Sequence, residues 1–489
     1  MAASICTSNV TAGFIDLATY DELEKYMYGG PDATAYFVRE TRKSTWFTQV
    51  PVVLSRASGS PGFNTEWSVS ISRAGDYLLQ TWLRLTTPAV TYTSSFGANG
   101  RLRWTRNFMH NIVRECCITF NDLVAARFDN FHLDFWAAFT VPAGKRNGYN
   151  NMIGNFDDLT GPTAPGGVIP AFTLNLPLPL YYSRDSGVAL PTAALPYNDM
   201  RINFSFRDWS NLLLEDNLAA AAGTNPTQTA PLAAVGGANL SLGTTQVWAN
   251  YAIVSNDERK RMACAPRDML IEQVQTAPRQ TFAPATNPTP TFDIRFSHAI
   301  KVLFFAVRNT TNASDWSNYT AASAVPGATV VNHTPSGAVD PIVQTSLIYE
   351  NTNRLAQMGS DYYSLVQPWY HAPVIPLDTG YHMYSYSLDF ICLDPMGSTN
   401  FGKLTNVSMV PEASAGAIAG ANGTGAAGSG ADYAQTYEYL VTVVNNNIIR
   451  VSGGALGRNG KPKTGRCYQS CGFTLVDKHC KNHLLTTFC

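Results

Sequence analysis

The residue types best suited to chemistry crowd the C-terminal end. The stretch "CYQSCGFTLVDKHCKNHLLTTFC" sets Cys467 and Cys471 three residues apart, and His479 and His483 likewise. Two thiolates and two imidazoles are a tetrahedral zinc donor set. Only seven residues separate the two pairs, where a zinc finger usually has about twelve to fifteen. Around them stand six basic residues, Arg458, Lys461, Lys463, Arg466, Lys478 and Lys481, against the single acid Asp477. A loose basic tail with free thiols is therefore the favoured expectation. Metal ligation by Cys467, Cys471, His479 and His483 is the weaker alternative, and no other metal or cofactor is expected.

Elsewhere each chemical motif is incomplete. "YYSRDSG" offers Ser183 and Ser186 with Arg184 and Asp185 between them. A nucleophile elbow needs Gly-x-Ser-x-Gly on a tight strand-to-helix turn, and Pro191 and Pro196 instead mark a loop between strands. Gly423, Gly425 and Gly428 fit Gly-x-Gly-x-x-Gly without the preceding strand and following helix that a dinucleotide site requires. Gly460-Lys461 is followed by Pro462, and Ala455 stands where a phosphate loop needs glycine. His-Glu-x-x-His does not occur, and six of the eight histidines are isolated in sequence. Nine positions fit Asn-x-Ser/Thr, including Asn309, Asn312, Asn318 and Asn332; without a secretory pattern they are expected to reflect Thr/Asn/Ser-rich loops rather than glycan acceptors. Cys116 and Cys117, on a strand, would point to opposite faces, which disfavours a disulfide between them. No catalytic or cofactor-binding residue is expected in the body.

What positions these residues is mostly strand. "MRINFSF" puts Ile202, Phe204 and Phe206 on one face. "DYLLQTWLRL" sets Tyr77, Leu79, Leu83 and Leu85 against Gln80 and Arg84, and "TYEYLVTVV" sets Tyr437, Tyr439, Val441 and Val443 against Glu438 and Thr442. "FDIRFSHAIKVLFFAV" predicts one or two strands buried on both faces. Three helices are expected: one opened by a capping box from Thr19 to Glu22 and stopped by Gly29-Gly30, one in "DWSNLLLEDNLAAAAG" from Asp208, and one after Asn121-Asp122 through Phe135 and Trp136. Many short strands and long loops predict an all-β chain of sandwich or jelly-roll type. A length of 489 residues requires two such units. The charge run Asn256–Pro266 is the expected divide, and no internal repeat is visible.

Charged residues are 14% of the chain and the formal net charge is −1, against roughly 25% charged in an average domain. Low charge suits surfaces covered by other proteins. Basic residues do not cluster before the tail, which argues against a phosphate-backbone binder. The N-terminus has no secretory pattern, and no apolar run reaches membrane-span length, so a cytosolic chain is expected. Nine cysteines, an odd count, are expected to be mostly free thiols.

"LPLPLYYSRDSGVALPTAALPYNDMRINFSF" (Leu176–Phe206) closely resembles a signature of major capsid proteins of large icosahedral double-stranded DNA viruses. "ISRAGDYLL", "VSNDERKRMA", "LIEQVQ", "SYSLDFICLDPMGSTNFGKLTNVSM" and "NNIIRVSGGALG" resemble further segments of that family in the same order. "TAYFVRETRKSTWFTQVP" and "YENTNRLAQMGSDYYSLVQPWYHAP" resemble the iridovirus branch, most of all the viruses of invertebrates. The likeness spans about residues 10–457. It implies a double jelly roll with few short helices: an inner segment 1–30, a first roll 31–256, a linker 257–267, a second roll 268–457 and a tail 458–489 to which nothing transfers. It implies a self-assembling shell subunit, three copies to a pseudo-hexameric capsomer, in the outer capsid of a virion assembled in host cytoplasm. Neighbouring capsomers and minor capsid proteins are the implied partners. An internal membrane lies behind them, and no sequence-specific nucleic-acid contact is implied. The rival expectation is a sandwich that binds or hydrolyses carbohydrate, since fold alone does not fix function.

Overall fold

The computed structural model describes residues 2–195, 198–221, 223–264, 267–321, 340–420, 433–454 and 470–475. The chain divides into two compact units, Met1–Trp46 and Phe47–Cys489.

The first unit holds helices α1 (Ala2–Ala18) and α2 (Glu22–Met27). The expected capping box is replaced by a simpler arrangement. The Thr19 hydroxyl donates back to the Asp16 carbonyl at 2.7 Å, and Asp21 caps α2 by accepting from the Glu22 N–H at 2.7 Å. A carboxylate one residue before the helix satisfies a free amide as well as a threonine would. Gly29 and Gly30, at φ 114° and 103°, follow the helix end.

The second unit is strand-built. Its first half runs β1 (Phe47–Val53), β2 (Arg56–Ser58), β3 (Glu66–Ser70), β4 (Tyr77–Thr86), β5 (Val90–Thr91), β6 (Gly100–Trp104), β7 (Val113–Phe120) and β8 (Leu123–Asp129). It continues through β9 (Val168–Ile169), β10 (Thr173–Pro177), β11 (Leu190–Pro191), β12 (Met200–Phe206), β13 (Leu213–Asn217), β14 (Thr227–Thr229) and β15 (Thr245–Val254). The second half runs β16 (Arg267–Thr276), β17 (Gln280–Phe282), β18 (Phe292–Asp293), β19 (Ala299–Asn309), β20 (Ile342–Tyr349) and β21 (Thr352–Gly359). It ends with β22 (His382–Ser385), β23 (Thr399–Asn400), β24 (Val407–Ala413), β25 (Tyr437–Gly454) and β26 (Ser470–Leu475), the last paired to β25.

The two halves wind identically. In the first, β1-β15-β4-β10 faces β3-β12-β7-β8; in the second, β16-β25-β19-β22 faces β18-β24-β20-β21. If each half's eight main strands are numbered along the chain, both give one sheet ordered 1-8-3-6 and another ordered 2-7-4-5. All pairings are antiparallel. This interleaving is a jelly roll, two Greek keys wrapped into a sandwich, and the chain carries it twice. Leu83, Leu85, Val247, Val69, Ile118 and Phe204 share the first core; Leu303, Phe305, Val441, Val443, Leu347 and Met409 share the second.

Local chemistry explains where the strands depart from expectation. In β12 alternate residues are buried throughout, as "MRINFSF" predicts. In β4, Leu83 and Leu85 point inward, but Leu78 replaces Tyr77 and Leu79. The cause is a bulge: Gln80 pairs with Asn250 and Leu78 with Tyr251, leaving Leu79 as an extra residue that shifts the side-chain parity. "DWSNLLLEDNLAAAAG" is not a helix. One short turn leads into β13, which pairs with β6 and β14. Its acids are held inside: Glu215 accepts from the Tyr92 hydroxyl and the Ser95 N–H, both at 2.8 Å, and Asp216 accepts from Arg103 Nε at 2.8 Å. Long-range partners override the alanine-rich helix propensity.

Helices fill the connections: α3 (Phe108–Ile112), α4 (Asn130–Thr140), α5 (Ala143–Ile153), α6 (Asp157–Thr160), α7 (Asn256–Cys264), α8 (Gln367–His371) and α9 (Ala415–Ala419). The helix expected after Asp122 begins later, since β8 comes first and Asp129 then caps α4 through the His132 N–H at 2.9 Å. α7 spans the expected divide between the halves.

Candidate functional site

The serines that could suggest catalysis sit on two short turns, Tyr181–Ser183 and Ser186–Val188. Ser183 donates to the Leu178 carbonyl at 3.4 Å, and no histidine faces either hydroxyl among the described contacts. The residue between them does more. The Arg184 guanidinium lies 3.7 Å over the Trp136 ring on α4 and forms an ion pair with Glu272 on β16 at 2.9 Å. Burial lowers the Arg184 pKa, and the Glu272 charge opposes that. Lys301 on β19, wholly buried, donates to the other Glu272 oxygen at 2.6 Å and to the Cys392 carbonyl at 2.6 Å. Arg184 thus pins the first half to a carboxylate that Lys301 holds in place from within the second.

α4 is the middle of this joint. Asp129 caps it, and its apolar stripe of Phe131, Phe135, Ala138 and Phe139 packs on Val302, Phe304, Ala306, Leu440 and Val444. Phe304 lies 5.8 Å from the Phe135 ring and 5.3 Å from Phe139, both stacked. Hence β19 is buried along both faces, as its unbroken apolar run predicts, and β25 is buried on both sides from Tyr439 to Asn445 rather than alternating there. Beside this layer the loop after β19 inserts into a polar network. Asp134 accepts from Asn107, Ser317 and Tyr319 and lies 2.7 Å from His110 Nδ1. His110 Nε2 meets the Tyr149 hydroxyl at 2.7 Å. The Trp316 ring is sandwiched by Arg207 at 3.8 Å and Arg308 at 4.1 Å. Burial and the charges of Arg279 and Arg308 push Arg207 down to about 9, still cationic at neutral pH.

One cluster has the composition of a hydrolytic triad without its geometry. Ser360 Oγ lies 2.8 Å, and Asp340 Oδ2 3.0 Å, from the same His382 nitrogen, Nε2. A relay needs the acid on the opposite ring nitrogen, and His382 Nδ1 has no partner. The ring is 1% exposed, so no substrate reaches it. Burial raises the Asp340 pKa, yet the His382 charge, the Ser360 hydroxyl and the Ile342 N–H together bring it below 3.8. Among the described residues no group of three His, Cys, Asp or Glu side chains could hold a metal ion. The zinc alternative lies outside the described residues: Cys467, His479 and His483 are not described, and of Cys471 only the backbone, on β26, is. Cys116, Cys117 and Cys392 are free thiols. No described helix is long and apolar enough to cross a membrane.

The exposed apolar surface is more distinctive than any polar cluster. In the first unit Leu17, Tyr26, Tyr36, Phe37 and Trp46 are 76%, 89%, 89%, 103% and 87% exposed. In the second, Trp369 and Tyr370 on α8 are 71% and 73% exposed, and Leu388 is 75%. Isolated exposed apolar residues need no explanation, but groups of them mark contact surfaces. Neither Arg184–Glu272–Lys301 nor α8 was singled out by motif. The traces were that Arg184 falls in the capsid-like signature, Glu272 in "LIEQVQ" and α8 in "SLVQPWYHAP".

Comparison with known proteins agrees with this geometry. The family described as "Large eukaryotic DNA virus major capsid protein" matches residues 258–457, and "Major capsid protein N-terminus" matches residues 35–254. The major capsid protein of Costelytra zealandica iridescent virus is 66% identical over 461 residues, covering 93% of this chain and 99% of that one. That of Invertebrate iridescent virus 6 is 65% identical over 471 residues, with 93% and 99% covered. That of Lymphocystis disease virus 1 is 49% identical over 462 residues, again with 93% and 99% covered. In fold, the chain is similar to the PBCV-1 virus capsid protein at TM-score 0.67 and 18% identity, over 91% of this chain and 100% of that one. It is similar to the Faustovirus major capsid protein at TM-score 0.64 and 12% identity, over 92% and 98%. The chain therefore belongs to the major capsid protein family of large eukaryotic DNA viruses, on the branch of the iridescent viruses.

Proposed function

We propose that this structural subunit of the virion shell, which is no enzyme, works as a trimer whose six jelly rolls make a pseudo-hexagonal capsomer. The observation that carries the reading is the repeated 1-8-3-6 and 2-7-4-5 winding. Two like-shaped rolls per chain give a threefold ring six similar walls, which a hexagonal lattice can accept. The reading assigns residues 31–256 and 268–457 to the rolls, 257–267 to a linker, and 1–30 to an inner segment that meets minor capsid proteins, with an internal membrane behind them. The exposed Phe14, Leu17, Tyr20, Tyr26 and Tyr28 support the last assignment, because grouped apolar surface calls for a partner. Assembly in host cytoplasm belongs to the same reading. Light scattering on the purified chain tests it: a trimer mass at low micromolar concentration is expected, and a stable monomer there overturns it.

A further inference from the structure

The joint inside the chain has a helix and a sheet, and each has a counterpart left uncovered. α4 lies in the connection between the fifth and sixth main strands of the first roll, β8 and β10. It covers the outer face of β16-β25-β19-β22 in the second roll. α8 lies in the same connection of the second roll, between β21 and β22. Its Trp369 and Tyr370, with Val366 one turn before them on the same side, face solvent. His371 Nδ1, 3.2 Å from the Leu388 carbonyl, ties exposed Leu388 to the same knob. The sheet β1-β15-β4-β10 is the first roll's counterpart of the covered one. Across its outer face runs an apolar row in register, Val53–Trp248–Trp82–Pro177. The two indoles are stacked at 6.2 Å. Val53 is 41% exposed, and β1 lies open along nearly its whole length.

We propose that the α8 knob of one copy covers the Trp82–Trp248 face of the next copy's first roll, repeating between chains the contact that α4 makes within one. The occupant is a second copy of this chain because the chain already shows this helix-on-sheet packing and carries both halves of a second one. A contact between two different patches closes into a ring when the rotation allows it. The two α8 aromatics alone offer roughly 200–360 Å² at their present exposure, taking about 150–250 Å² for each ring system. That is roughly a quarter to under half of the roughly 800 Å² per partner of a stable interface, with Val366 and Leu388 adding to it, and the Trp82–Trp248 row with open β1 offers the facing surface.

The inference rests on the trimer reading, and one set of measurements separates the two. Trp369→Ala with Tyr370→Asp changes residues that touch solvent in the single chain, so folding by circular dichroism should persist. Dissociation of the trimer on dilution should shift at least tenfold in concentration. Val53→Cys with Trp369→Cys should give disulfide-linked multimers under mild oxidation, where neither single substitution does. A wild-type trimer that survives Trp369→Ala/Tyr370→Asp unchanged and gives no specific cross-link overturns this surface and leaves the trimer standing. A wild-type monomer overturns both.

Discussion

β12 and β19 hold the same place in no hierarchy of length or propensity, yet they differ sharply. β12 alternates buried and half-buried residues, because one face meets its sandwich core and the other meets solvent. β19 is buried from Ile300 to Asn309, because its second face meets α4. One sheet of the second roll, β16-β25-β19-β22, is therefore covered on its outer face, while the corresponding sheet of the first roll, β1-β15-β4-β10, keeps its outer face open. One winding serves two environments, and the side chains on the outer face record which is which: Val302, Phe304 and Ala306 on the covered sheet, Gln80, Arg84 and Asn250 interrupting the indoles on the open one.

The contrast can be broken most forcefully at Glu272. Glu272→Ala leaves Arg184 and Lys301 as buried cations without their partner, and stability should fall by about 3–5 kcal/mol in urea unfolding. A loss below 1 kcal/mol would mean that the joint does not depend on this cluster. Acid should act next. Both nitrogens of His132 on α4 are buried without partners, between the rings of Phe128 and Trp136. Burial, with the Arg184 charge, pushes its pKa from 6.5 down to about 3. Between those values the unfolded chain binds a proton that the folded chain refuses, so stability falls as pH drops below 6.5. The loss should reach several kcal/mol near pH 3 at about 1.4 kcal/mol per unit, and His132→Leu should flatten the melting temperature over that window. Asp340 in the second roll has the opposite placement. Its folded pKa lies below 3.8, so its contribution is present above that pH and is lost only as pH falls further. The melting-temperature gap between wild type and Asp340→Asn should be open at pH 3.8 and close as pH falls below it.

A double-mutant cycle sharpens the comparison further. Phe135→Ala and Phe304→Ala should couple by about 0.5–1.5 kcal/mol, the worth of an aromatic pair beyond its area. The coupling between Phe135→Ala and Phe204→Ala in the first core should be nil. The smallest effect is expected at Arg450–Asp268. The pair is bidentate at 2.7 and 2.8 Å, but both partners are about half exposed. Asp268→Asn should leave the melting temperature unchanged, as solvated pairs generally do.

The strands were legible wherever one face met a core and the other met water, as in "MRINFSF". "AIKVLFFAV" was legible as doubly buried, but nothing local named the covering element, since α4 is more than 150 residues away in sequence. β4 misled because a one-residue bulge at Leu79 depends on what β15 does opposite it. β13 misled because nothing local in "DWSNLLLEDNLAAAAG" shows that Tyr92 and Arg103 hold Glu215 and Asp216 inside. The duplication was invisible for a similar reason: winding order constrains which strands are neighbours and leaves the side chains free. The capsid-like segments carried the functional reading, while the residues of the joint and of the uncovered faces emerged only when the halves were packed.

The aromatic layer under α4 also limits how the molecule can deform. Flexing one roll against the other would pull Phe135 and Phe139 off Phe304 and separate Arg184 from Glu272, so the two rolls resist bending at their joint. Curvature of a shell built from such subunits is therefore expected at the seams between molecules rather than at this joint.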